Sequence, residues 1–215
     1  MVTVDERQGL LQAVLDAPDD DALRLIFADW LEEHGEAERA EFIRVQCELA
    51  VVHKRLHDLS QSEVEGDYDR WAELRQRESE LLEGFALYWL LDAFPAIEPE
   101  RFEYRQENGR VVGFGGAILT TVAFRRGFVE HVTSTWDDWD TCADAVLACQ
   151  PVRKVKLTDM PKWGFIDSDM QIAYLRSQRH HCEADTHDIP VGMLIAKFLV
   201  EKKWRGITFD LPDDM

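Results

Sequence analysis

The chain has 215 residues, of which 46% are hydrophobic, with seven tryptophans and eleven phenylalanines. Disorder requires low hydrophobicity together with high charge, so this composition excludes an intrinsically disordered protein. A chain of this length buries roughly 70 to 75% of its unfolded surface on folding, which is enough to form a substantial core.

The formal net charge of -18 is concentrated in the first half of the chain. Residues 1–100 contain nine basic and 25 acidic side chains, whereas residues 101–215 contain 15 basic and 17 acidic ones. A negative field of this strength disfavours nucleic acid and anionic membrane surfaces as partners and favours a basic protein. The first half is therefore expected to present an acidic surface.

The cysteines and the hydropathy pattern indicate a cytoplasmic protein. Cys47, Cys142, Cys149 and Cys182 form no C-x-x-C pair and no disulfide framework, which predicts reduced thiols. The N-terminus has no signal-like apolar core, and no run of eighteen uncharged apolar residues occurs. We therefore predict neither export nor a membrane span.

Four helices are predicted before residue 95. They cover about residues 5–16, the segment after the acidic run at Asp19 to Asp21, about residues 38–59, and residues 68–93. Gly35 is expected to end the second helix in a left-handed conformation. The second and fourth helices each carry an apolar stripe that is expected to be buried. The stripe of the second helix consists of Leu23, Ile26, Phe27, Trp30 and Leu31. The stripe of the fourth helix includes Trp71, Leu74, Leu81, Phe85 and Tyr88.

The second half of the chain changes to a strand and helix pattern. Asn108 and Gly109 predict a hairpin turn, and residues 124–133 predict a strand. Asp137 and Asp138 are expected to cap a helix, which is followed by a strand that begins at Val152. The 24 residues from Phe128 to Val152 match the period of a leucine-rich repeat, and a further helix and strand are predicted over residues 188–211.

These elements predict an α+β fold with two units. A helical domain at residues 1–95 is expected to pack on a small α/β unit of leucine-rich-repeat character at residues 96–215, whose sheet is partly parallel.

The first fifty residues, approximately, resemble a known bacterial family. The stretch LLQAVLDAPDDDALRLIFADWLEEHG followed by AEFIRVQCEL is similar to the repeat-companion domain of planctomycetes and myxobacteria, which often precedes leucine-rich-repeat-like segments. The similarity extends more loosely through FRRGFVEHV and PVRKVKLTD, and no regular run of repeats follows Leu157. The family has no established activity, so the resemblance implies a fold and no particular chemistry.

The resemblance implies that the signature positions are Asp29, Trp30, Leu31, Glu41, Phe42 and Arg44. Asp29 borders the apolar stripe and Arg44 follows the corner between two helices, so we predict a hydrogen-bonded pair that holds these helices together. The alternative is functional: Asp29, Glu32 and Glu33 bind a cation or act as acid and base.

One loop has the composition of a metal site. His180, His181, Cys182 and His187 lie together with Glu183 and Asp185, and these ligand types suit Zn, Ni or Cu. The simpler interpretation is a polar surface loop, and we expect no cofactor. His53 and His57, one helical turn apart, are interpreted as half-exposed helix residues because no third ligand is near them in sequence.

No nucleophile motif is present, so the predicted function is a non-catalytic cytoplasmic interaction module or scaffold. A basic cluster consists of Arg125, Arg126, Arg153, Lys154 and Lys156. With Trp136 and Trp139 it could bind single-stranded nucleic acid, which the net charge disfavours. We place the first contacts of a protein partner at Arg125, Arg126, Trp136 and Trp139. The alternatives are a metal-binding protein or metal-dependent hydrolase that uses the His180 loop, and an acidic mimic that binds a basic partner.

Overall fold

The computed structural model describes residues 4–58, 65–94, 104–107, 110–113, 119–158, 204 and 206–210. Within these residues the fold is α+β, as the sequence predicts. The helices are α1 Val4–Asp16, α2 Asp21–Glu33, α3 Ala37–Asp58, α4 Glu65–Ala93 and α5 Trp136–Leu147. The strands are β1 Tyr104–Glu107, β2 Arg110–Gly113, β3 Leu119–Arg125, β4 Phe128–Ser134, β5 Lys154–Leu157 and β6 Thr208–Asp210.

Both ends of α2 are closed by local hydrogen bonds. The Asp20 carboxylate accepts a hydrogen bond from the Ala22 amide at 2.9 Å, which makes Asp20 the N-cap. At the other end Gly35 has a φ of 88°, and the Glu36 amide donates to the Leu31 carbonyl at 2.9 Å. This is a Schellman motif, so the prediction that Gly35 ends the helix is confirmed.

The buried face of α2 differs from the predicted stripe. The side chains that α2 buries are those of Arg24, Phe27, Ala28 and Leu31. Ile26 is 50% exposed, and Trp30 is half-buried with its indole stacked on His34 at 3.9 Å between ring centroids. The prediction that Ile26 and Trp30 are inside was therefore wrong in part, because the helix turns Arg24 inward.

Helix α3 lies between two apolar clusters. Ala40, Ile43 and Cys47 join residues of α1 and α2 in a smaller cluster. The opposite face joins α4, α5 and the sheet in the main core through Phe42, Val45, Leu49 and Val52. The main core therefore contains residues from both sides of the predicted boundary at residue 95, and the two predicted units share it.

Two bidentate ion pairs link α3 to α4, which we call the α3/α4 ladder. Arg77 donates to both oxygens of Glu41 at 2.7 and 2.8 Å, and Arg70 does the same to Glu48 at 2.7 and 2.8 Å. The pairing of 41 with 77 and of 48 with 70 shows that the helices are antiparallel. Hydrogen bonds from these guanidinium groups lower the pKa of both carboxyl groups.

The sheet is mixed and has the strand order β1-β2-β3-β4-β5-β6. Strands β1 to β4 pair antiparallel, whereas β4, β5 and β6 are parallel. One row across the sheet is buried and consists of Val122, Val132, Val155 and Phe209. The partly parallel sheet is therefore confirmed, and this row defines the face that packs in the main core.

Two predictions in this region need correction. The single strand predicted over residues 124–133 is a hairpin, in which β3 and β4 are joined at Arg126 and Gly127. The N-cap of α5 is Thr135, whose hydroxyl accepts from the Asp138 amide at 3.2 Å, so Asp137 and Asp138 lie in the first turn. The turn at residues 108–109 and the helix predicted from residue 188 lie outside the described residues.

None of the helices in the described ranges is both long enough and apolar enough to span a bilayer.

The α3/α4 ladder predicts a specific loss of stability in acid. Because the folded-state pKa values of Glu41 and Glu48 are lowered, their contribution is present above the unfolded pKa of about 4.3 and is lost as the pH falls through the folded values. The Glu41→Gln/Glu48→Gln variant should therefore lose less thermal stability than the parent between about pH 6 and about pH 3. Thermal unfolding at both pH values measures this. Glu83→Gln, at an exposed α4 position outside the ladder, should behave like the parent.

Candidate functional site

The candidate functional site is the face of the sheet opposite the buried row, which we call the open face. The strand register places Ala123, His131, Lys154 and Thr208 side by side. The next row contains Thr133, Lys156 and Asp210. All seven residues are half-buried or exposed. Because successive residues of a strand point to opposite faces, burial of Val132 and Val155 leaves their neighbours on this face.

The open face is polar and carries net positive charge on its described residues. Lys154 and Asp210 form an ion pair at 2.5 Å that is partly open to solvent on both sides. Lys156 is exposed, and none of the described carboxylates pairs with it. Arg125, at the end of β3, is also exposed. This arrangement offers hydrogen-bond donors and cations at strand spacing, which is suited to binding acidic or polar groups.

The β3/β4 hairpin that carries this face inserts its tip into the helical region. The tip is a two-residue turn in which Arg126 has a φ of 48° and Gly127 a φ of 84°, as a type I′ turn requires. A β-carbon at Gly127 would lie 2.2 Å from Cγ1 of Ile43 in α3. The Gly127 amide donates to Oε1 of Gln46 at 2.6 Å. Helix α3 therefore contacts the backbone of the turn directly.

A buried ion pair holds the hairpin to α2. Between the pairs Ala123 with His131 and Phe124 with Val129, strand β4 contains one extra residue, Glu130, and this is a β-bulge. Nη2 of Arg24, a side chain with 0% exposure, donates to Oε1 of Glu130 at 2.7 Å. The bulge therefore turns a strand carboxylate towards a helix guanidinium 106 positions away.

Arg24 also binds three backbone carbonyls. Its Nη2 donates to the Pro18 carbonyl at 2.6 Å, and its Nη1 donates to the carbonyls of Arg126 at 3.1 Å and Arg125 at 3.3 Å. Burial raises the pKa of Glu130 and lowers the pKa of Arg24, and each charge opposes the shift of the other. Removal from water is thus costly for both groups, and the several hydrogen bonds offset that cost.

A second arginine lies among the aromatic rings beside the tip. The guanidinium carbon of Arg39 is 5.0 to 5.8 Å from the centroids of four rings. These rings belong to Phe42, Trp89, Phe124 and Phe128. Burial lowers the pKa of Arg39 to about 10. The ring faces stabilise a cation at this junction of α3, α4 and the hairpin.

The structure changes the predicted partner contacts. Trp139 is 0% exposed and Trp136 is 8% exposed, because both indoles pack against Trp204 in the main core. Arg126 lies 3.4 Å from Asp21 and 3.7 Å from Asp19 in ion pairs. Placing first contacts on the two tryptophans was therefore wrong, and Arg125 is the exposed member of the predicted set.

The charged signature residues of the resemblance, Asp29, Glu41 and Arg44, lie on helix surfaces, whereas Leu31 and Phe42 are buried in the core. Nη2 of Arg44 donates to Asp29 at 2.7 Å and to Glu32 at 2.6 Å, so the predicted hydrogen bond is present. All three side chains are substantially exposed, which limits the energy of such a pair to about 0 to 1 kcal/mol. Glu41 belongs to the α3/α4 ladder. Because Asp29 and Glu32 are occupied by Arg44, this geometry does not favour the alternative of a cation or acid and base site.

Neither a metal-binding cluster nor a thiol with a lowered pKa is found in the described ranges. No group of three or more His, Cys, Asp or Glu residues there could hold a metal ion. Burial raises the thiol pKa to about 12 for Cys47 and Cys142, and to about 11 for Cys149, so these thiols are neutral at physiological pH. The candidate metal loop at residues 180–187 lies outside the described residues, so its role remains a prediction.

Sequence reasoning missed Arg24, Glu130 and Gln46. A signal for Arg24 was present, because residue 24 precedes Phe27, Ala28 and Leu31 by three, four and seven positions and is therefore in phase with the buried face. No comparable signal marked Glu130, which is buried because a bulge changes the direction of its side chain.

Comparison of the chain with protein-family models, curated proteins and solved structures finds no match. The site therefore rests on the geometry of this chain alone.

The buried ion pair predicts that substitution of Arg24 lowers the stability of the protein much more than substitution of Arg44. Arg24→Met should destabilise the protein by about 3 to 5 kcal/mol because it leaves Glu130 buried without a countercharge. Adding Glu130→Leu should recover part of this loss. Arg44→Met, which removes an exposed ion pair, should cost no more than about 1 kcal/mol. Chemical denaturation measures all three variants, and equal effects at Arg24 and Arg44 would contradict this assignment.

The contact between Gly127 and Ile43 predicts that alanine lowers the stability more at Gly127 than at Gly35. Gly35→Ala and Gly127→Ala both place a side chain at positive φ, which costs about 1 to 2 kcal/mol. At Gly127 the new β-carbon also meets Ile43, so an additional loss of about 1 to 3 kcal/mol is expected. Gly35 is the matched control, since a β-carbon there meets no atom within 4 Å.

Proposed function

We propose that this chain is a non-catalytic protein-binding module of the bacterial cytoplasm and that the open face of its sheet holds the partner. The observation that carries the proposal is the one-sided sheet. Val132 and Val155 cover the main core, while the parallel strands β4, β5 and β6 present polar side chains on the other side. A polar sheet face presented by a rigid scaffold is typical of interaction surfaces built from stacked strand and helix units.

Charge indicates the class of partner for this surface. Lys156 and Arg125 are exposed cations at different ends of the sheet, on a chain whose net charge is -18. Lys154 adds a third cation, which Asp210 partly neutralises. The proposal is therefore that an acidic or polar segment of another protein lies across the parallel strands.

Other observations agree with binding without chemistry. Glu130 and Arg24 are the most deeply buried charged residues described, and they form an ion pair that stabilises the fold. The resemblance to repeat-companion domains is compatible with this proposal, since it implies no particular chemistry. The absence of a disulfide framework among the four cysteines supports the cytoplasmic assignment.

The proposal predicts loss of binding on charge reversal. Arg125→Glu/Lys156→Glu should weaken the affinity of the partner, captured from native lysate at low salt and then purified, by about tenfold or more. Thermal unfolding should change little, because both side chains are exposed. Titration calorimetry with the purified partner measures the affinity. Lys54→Glu, the same charge reversal at an exposed site on α3, is the control and should bind like the parent.

Two results would contradict the proposal. One is a capture at low salt that recovers no protein. The other is a partner that binds the Arg125→Glu/Lys156→Glu variant as tightly as the parent, because such a partner would use another surface.

A further inference from the structure

A second candidate site lies where the end of α3 meets the start of α4. A cavity of about 270 Å³ is lined by His53, Leu56 and His57 from α3 and by Tyr68 and Trp71 from α4. We call it the aromatic cavity. The three α3 residues and the two α4 residues each share a helix face, since they are three or four positions apart. The cavity is therefore formed by two facing helix surfaces.

The aromatic rings of this cavity are unusually open to solvent. Tyr68 is 57% exposed and Trp71 is 36% exposed, although the sequence pattern placed Trp71 in the buried stripe of α4. Leu56 packs against the main core and forms the apolar part of the lining. Exposed tyrosine and tryptophan next to a cavity are the residues most enriched where a partner side chain is held.

The charge around the aromatic cavity favours a cation. The described residues that line it include no lysine, arginine or carboxylate. Of the neighbouring charges, Arg55 is paired with Asp67 at 3.2 Å and Arg70 with Glu48 at 2.7 Å. Asp58, next to His57, and Asp69, next to Tyr68, form no ion pair with a lysine or arginine among the described residues. The nearby cations are Lys54, which is exposed, and Arg75, which is paired with Glu78. The field of the acidic first half acts in the same direction.

The tryptophan ring already accepts a guanidinium group. The guanidinium carbon of Arg75, one turn further along α4, lies 5.8 Å from the centroid of Trp71. Cations bind to aromatic faces because of the ring quadrupole, and tryptophan binds them best. A cavity of this size accommodates one side chain and is smaller than the usual pocket for a drug-sized ligand.

We propose that the aromatic cavity binds a single arginine or lysine side chain from a basic segment of a partner protein, between the rings of Tyr68 and Trp71. This site lies at the far ends of two helices and is independent of the open face. It goes beyond the proposed function, because it assigns a second surface that selects the opposite charge. The chain would then bind acidic groups on its sheet and a cationic side chain on its helices.

The test compares two probes that differ in charge. Citrulline has nearly the shape of arginine and a neutral urea in place of the guanidinium. The indole N–H signals of the seven tryptophans are followed by NMR during titration with acetyl-arginine-amide or acetyl-citrulline-amide, and Trp71→Phe identifies the Trp71 signal. The proposal expects a saturable shift of the Trp71 signal with the arginine probe, with a dissociation constant on the order of millimolar for one side chain. The citrulline probe should bind at least about fivefold more weakly.

A variant locates the binding. Tyr68→Ala should weaken binding of the arginine probe by about threefold or more, because the substitution removes one of the two aromatic rings. Tyr88→Ala, which removes an exposed tyrosine elsewhere on α4, is the matched control and should have no effect. Equal binding of citrulline, or equal shifts of all indole signals, would overturn the proposal. The wild-type comparison of the two probes requires no variant to fold, and failure here leaves the charge-reversal test of the open face unaffected.

Discussion

The structure depends on one buried ion pair, between Arg24 of α2 and Glu130 of the β4 bulge. Both groups lose their water, and the cost is offset because Arg24 binds the Glu130 carboxylate and three backbone carbonyls at once. The two residues are 106 positions apart, so this contact forms only when the hairpin is docked on the helices. It therefore couples the position of the sheet to the fold of the first 58 residues.

The hairpin tip explains why helices and sheet form one body. Ile43 leaves no room for a side chain at Gly127, Gln46 accepts a hydrogen bond from the turn, and four rings surround Arg39 beside it. These contacts use the chain's deeply buried polar groups for architecture. Among the described residues, the opposite side of the sheet and the exposed ends of the helices present polar and aromatic side chains on rigid elements.

Sequence patterns located most elements and misplaced several faces. The helices, the Gly35 terminus and the α5 to β5 unit follow from capping residues and apolar spacing. Two errors have different causes. The pattern of residues 124–133 predicts one strand because arginine is not a residue type that favours positive φ, although Arg126 has a φ of 48° in the turn. The apolar spacing of α5 predicts that Trp139 faces inward, as observed, whereas assigning Trp136 and Trp139 to a partner contact from residue type alone is wrong, because both side chains are buried.

The sequence by itself determined the α+β class, the end of α2 at Gly35 and the acidic first half, since these depend on neighbouring residues and on composition. Only the tertiary structure decided which side chains face inward: Arg24 is buried although it is charged, and Tyr68 and Trp71 are exposed although they are aromatic. The physical reason is that the cost of burying a group depends on its partners, and those partners come from distant parts of the chain. The open face and the aromatic cavity are for the same reason features of the folded molecule.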